Sequence, residues 1–167
     1  MFENWLQPLP LSDLELPDLQ EYQLGKHIQQ FKGNNKQLGR AQIALIGANT
    51  SGTNAIRQAL YQMSFPFEKL KVVDLGNTRK STPSFITPLL RELREHDIFP
   101  ILLGDHPQLN LAQFNALKTT RTAISISVVD ERIPYTAEAE EEGTYYLHRL
   151  FSLKLPQLFH FLVIGLQ

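Results

Sequence analysis

From Ala41 onward, short apolar runs alternate with stretches of helical periodicity. The runs Ala41–Gly47, Leu70–Leu75, Ile98–Leu103, Ala123–Val129 and Leu158–Gly165 are strand-length and rich in Ile, Val and Leu. Because they are apolar nearly throughout, they are expected to be strands covered on both faces. Between them, Ile56, Ala59, Leu60 and Met63 recur at i, i+3, i+4, i+7, as do Ile86, Leu89, Leu90 and Leu93, so each group predicts an amphipathic helix. A third helix is predicted from Pro107, a residue suited to a first helical turn, to about Lys118, and a fourth over Thr144–Leu153. Strands alternating with crossover helices place the chain in the α/β class with a mainly parallel sheet.

The first forty residues follow no such pattern. Pro8, Pro10 and Pro17 punctuate them and Gln23–Gly39 is mostly polar, which predicts an N-terminal arm and a helix over 1–40 ahead of an α/β domain over 41–167. With 167 residues and 43% hydrophobic content, a single globular domain can bury a sizeable core. A net charge of -1 argues against nucleic acid as a partner. The sequence contains no cysteine, which removes thiolate nucleophiles and zinc–thiolate sites, so any metal would need His, Asp or Glu ligands. Met1–Leu19 is acidic and proline-rich, unlike a signal peptide, and no apolar run approaches the roughly 20 residues that span a bilayer. A cytoplasmic location without membrane partners is the expectation. The acidic run Glu138, Glu140, Glu141, Glu142 reads as a solvated loop or helix start. Phe65, Phe67, Phe85, Phe99 and Phe114 read as core or near-core packing.

In open parallel sheets ligands bind beyond the carboxyl ends of the strands, so the loops there carry the candidate chemistry. Gly47-Ala-Asn-Thr-Ser-Gly52, with Asn49 and Ser51, imitates the glycine spacing of a phosphate-binding loop, but Thr53 and Asn54 stand where that motif needs Lys and Ser or Thr. The competing reading is a tight turn in which Ser51 or Thr53 caps the next helix. Asn77 follows the second run. After the third comes Leu103-Gly104-Asp105-His106-Pro107 and after the fourth Val129-Asp130-Glu131-Arg132-Ile133-Pro134. Asp and His at strand ends can hold a hard divalent cation; equally, Asp105 can cap the helix opening at Pro107 while His106 packs or hydrogen-bonds. His27, His96, His148 and His160 fall within helical or strand patterns, where surface or interface placement is usual.

The order and content of these segments resemble the ureohydrolases, the arginase, agmatinase and formimidoylglutamase family, in their N-terminal half. The resemblance runs from the arm around Trp5–Pro17 and Leu24-Gly25 through Ile46-Gly47, Ala55–Leu60 and Val73-Asp74-Leu75-Gly76-Asn77. It continues through Ile101–His106 and Ser127–Asp130 to Leu147-His148-Arg149 and Ile164–Gln167, nearest the formimidoylglutamase-like branch. It implies a three-layer αβα domain in which two manganese ions, held by His and Asp, supply a bridging hydroxide that attacks an amidine or guanidinium carbon. His106 matches the ligand of the family's Gly-Gly-Asp-His-Ser loop, although Leu103 and Pro107 replace its first glycine and its serine. Asp130 matches the first ligand of the Asp-Ala-His-x-Asp loop, but Arg132 and Pro134 stand at the other two ligand positions. The last family motif, Ser-x-Asp-x-Asp, does not occur before Gln167, so the fold is expected to be incomplete at its C-terminus.

A permanently charged guanidinium repels a dication at close range, so Arg132 is expected to replace one by pairing with Asp105 or Asp130. The leading expectation is therefore a non-catalytic ureohydrolase-like domain with a scaffold or binding role and no metal, or a weakly held divalent ion. One alternative is a manganese-dependent hydrolase of linear amidines when a C-terminal half is present. Another is an α/β binder of nucleotides or other small molecules. An uncovered edge or apolar face also leads to an expectation of self-association.

Overall fold

The computed structural model describes residues 2–33, 35–48, 51–67, 69–117, 123–131, 145–152 and 158–167. It resolves into two compact units, Met1–Asp105 and His106–Gln167. The class is α/β and the sheet pairing is mainly parallel.

In the first unit, strands β1 (Leu6–Gln7), β2 (Gln29–Gln30), β3 (Ile43–Gly47), β4 (Val72–Thr78) and β5 (Phe99–Leu103) form one sheet. β3 pairs in parallel with both β4 and β5. The outer edge of β4 is shared: β2 runs parallel to it at Val73–Asp74, and β1 runs antiparallel at Asn77–Thr78. Thus the arm contributes two short strands that its polar, proline-punctuated sequence concealed, and its helical content reduces to 3-10 turns and the four-residue α1 (Leu24–His27). Gly76 explains how the arm lies so close. It adopts a φ of +80°, and a Cβ there would strike the Gln7 carbonyl oxygen and come within 2.9 Å of Leu9 N.

β3 and β4 are buried along nearly their whole length, as apolar central strands should be. On one face Leu45 and Val72 join Leu14, Ile28 and Tyr61 in a core cluster. Helix α3 (Pro83–Glu95) has Pro83 in its first turn and buries Ile86, Leu89, Leu90 and Leu93, the stripe its periodicity predicted.

Helix α2 (Thr53–Gln62) departs from its periodicity. Its buried residues are Thr53, Arg57 and Tyr61, while Ile56 and Met63 are 36% and 58% exposed. The apolar stripe faces outward because the opposite face carries polar groups with partners in the sheet, described below. The aromatic expectations also divide. Phe114 is core and Phe65 and Phe85 are half-buried, but Phe67 and Phe99 are exposed.

The second unit contains α4 (Leu109–Leu117), β6 (Ile124–Val129), α5 (Tyr145–Ser152) and β7 (Leu158–Ile164), with β6 and β7 paired in parallel. Leu111, Phe114, Ile124, Leu147 and Leu150 form its core, flanked by Ile126 and Phe161. Among the described residues these two strands are not covered on both faces as their composition suggested. β6 alternates buried or half-buried Ile124, Ile126 and Val128 with exposed Ser125, Ser127 and Val129, the pattern of a strand with one free face. Among the described residues no helix is long and apolar enough to cross a membrane.

Candidate functional site

The carboxyl ends of β3, β4 and β5 converge, with Ala48 N–H donating to the Leu103 carbonyl at 2.8 Å. Beneath this end of the sheet lies the most heavily bonded polar cluster of the first unit. Asp74 sits in the apolar run Val-Val-Asp-Leu and is 1% exposed. A carboxylate so placed needs a cation and further donors, because desolvation otherwise costs several kcal/mol per ion. Arg57, itself fully buried, supplies both: its Nε donates to Asp74 Oδ2 at 2.7 Å and its Nη2 to Oδ1 at 3.4 Å. The remaining donors of the guanidinium reach Asn54 Oδ1 at 3.1 Å, Asn77 Oδ1 at 3.0 Å and the Gly76 carbonyl at 3.0 Å.

Asp74 also accepts from the Tyr61 hydroxyl at 2.7 Å and from Gly76 N–H at 2.8 Å. Tyr61 in turn accepts from Gln30 Nε2 at 2.7 Å, which ties β2 to α2 through the cluster. Burial, then the charge of Asp74 and the hydrogen bond to it, push the Tyr61 hydroxyl well above the ordinary tyrosine range. It therefore stays a neutral donor. Gly47 leaves room for the assembly: a Cβ there would collide with Asn77 Oδ1 and stand 2.5 Å from Thr53 Cγ2 and 2.9 Å from Arg57 Nη2. With its donors matched, the cluster is suited to holding the strand ends and α2 in one geometry, not to exchanging protons.

The loops singled out from sequence are put to related uses. Asp105 Oδ2 accepts from Ser51 Oγ at 3.0 Å and from Gly52 N–H at 3.1 Å. The N-terminal turn of α2 is thus capped by a carboxylate from the end of β5; its N-cap residue, Gly52, offers no side-chain cap, and the expected cap from Ser51 or Thr53 is replaced. Asn77 lies on Arg57. His106 is half-buried, and its Nδ1 accepts from Gln108 N–H at 3.3 Å in the turn before α4. Asp130 is half-buried at the end of β6, with its N–H on the Ile164 carbonyl at 3.0 Å. Asn49, Arg132, Pro134 and the acidic run 138–142 lie outside the described residues, as does the expected Arg132 ion pair. Among the described residues no group of three or more His, Asp or Glu side chains is placed to hold a metal ion. Of the other histidines, His27, His96 and His160 are exposed and His148 is half-buried.

The sequence reading passed over Arg57, Asp74 and Tyr61. The signal available was an acidic residue in the middle of an otherwise apolar strand, which calls for a buried partner.

The structure superposes on the crystal structure of formimidoylglutamase from Bacillus subtilis subsp. subtilis str. 168 with a TM-score of 0.63 and 17% sequence identity. The fold is ureohydrolase-like. The match covers 92% of this chain and 56% of that one, so the chain spans little more than half the length of the protein it resembles. No family model and no curated protein matches the sequence. At this level of identity the likeness concerns the fold alone. Within the ureohydrolase-like frame, the segments Ile46-Gly47, Val73–Asn77 and Ile101–His106 are the strand ends just described.

Proposed function

We propose that this chain is a ureohydrolase-like scaffold, a binding and assembly domain that does not hydrolyse amidines by itself. The observation that supports it most is the use made of the Asp105–His106 loop. Asp105 is engaged as the cap of α2, and His106 Nδ1 accepts a backbone N–H, which spends the one lone pair of the neutral ring and puts its proton on Nε2. At the positions where the resemblance places two further ligands the sequence has Arg132 and Pro134, neither of which donates a lone pair to a metal. We read this donor set as unfit for a two-manganese centre, so no hydrolytic step is derived through one. The capping carboxylate also disfavours the nucleotide-binding alternative, since it takes the helix N-terminus that a phosphate would need.

The test is metal analysis of the chain purified in manganese, with assays for formamide or urea release from formimidoylglutamate, arginine and agmatine. The scaffold reading expects less than one tightly held manganese per chain and no product. Two tightly held ions with product release would replace it with the manganese-dependent hydrolase.

A further inference from the structure

We draw no further inference here: the strongest candidate, the outward apolar stripe of α2 formed by Ile56, Ala59, Leu60 and Met63, is an apolar helix face, and nothing in the structure shows what covers it.

Discussion

Arg57 and Asp74 show how a charged pair can decide which way a helix faces. Both are removed from water, and the pair is held by further bonds on each side, so breaking it leaves an uncompensated buried charge. Arg57→Met is therefore expected to cost about 3–5 kcal/mol in urea unfolding, whereas Arg57→Met/Asp74→Leu, which removes both charges, is expected to recover much of that loss. Recovery would separate electrostatic from packing contributions, because both variants lose the guanidinium. Tyr61 supplies a second prediction. Its hydroxyl is held above the ordinary tyrosine value of 10.0, first by burial and then by Asp74, so the unfolded chain releases this proton at a lower pH than the folded one. The stability Tyr61 contributes is therefore whole below about pH 10 and is lost as pH rises through the interval above it. Between about pH 9 and about pH 11 the wild type is expected to lose stability more steeply than Tyr61→Phe, measured by urea unfolding at each pH. Equal slopes would mean that the phenol is not held neutral.

At the scale of elements, legibility followed whether burial was apolar. The strands at β3 and β4 and the buried stripe of α3 could be read directly, because Ile, Val and Leu at the right period need only a partner surface. α2 could not be read this way. Ile56, Ala59, Leu60 and Met63 have the spacing of a core face, yet the helix turns Thr53, Arg57 and Tyr61 inward, since the buried carboxylate of Asp74 needs the donors of Arg57 and Tyr61 more than the sheet needs another apolar stripe. β1 and β2 were illegible for a different reason: two-residue strands have no period, and their pairing depends on Gly76 and on the Gln30–Tyr61 bond. The candidate site was half legible. The strand-end positions of Ser51, Asn77 and Asp105 followed from the run boundaries, but Asp105 serves α2, 53 residues back from it at Gly52, which no local pattern reveals. The consequence is measurable. Asp105→Ala removes the cap from α2 and is expected to lower stability by about 0.5–2 kcal/mol in urea unfolding, with Asp105→Asn falling between it and the wild type. Should Asp105→Ala match the wild type, the carboxylate does not cap α2 in solution.

For the whole molecule, the likeness to a ureohydrolase-like fold holds at 17% identity because a fold requires a sequence of parallel strands and crossover helices, not particular residues. The order of elements was therefore legible from β3 onward, while the division into two compact units at Asp105–His106 was not, since nothing in composition changes there. Each unit has its own apolar cluster, one around Tyr61 and Leu45, the other around Phe114 and Leu147. Opening of one cluster need not expose the other, so local stability should differ between the units. Phe114→Ala removes a ring that is 2% exposed and is expected to cost the second unit about 3–5 kcal/mol. Hydrogen exchange followed by mass spectrometry is the appropriate measurement, because it reports protection segment by segment. Amides of β6, β7 and α5 are expected to exchange faster in Phe114→Ala, while those of β3, β4 and α3 keep their wild-type protection. Equal acceleration in both sets would mean that the clusters open together and that the chain unfolds as one cooperative body, in which case the cost of Arg57→Met would also spread to β6 and β7.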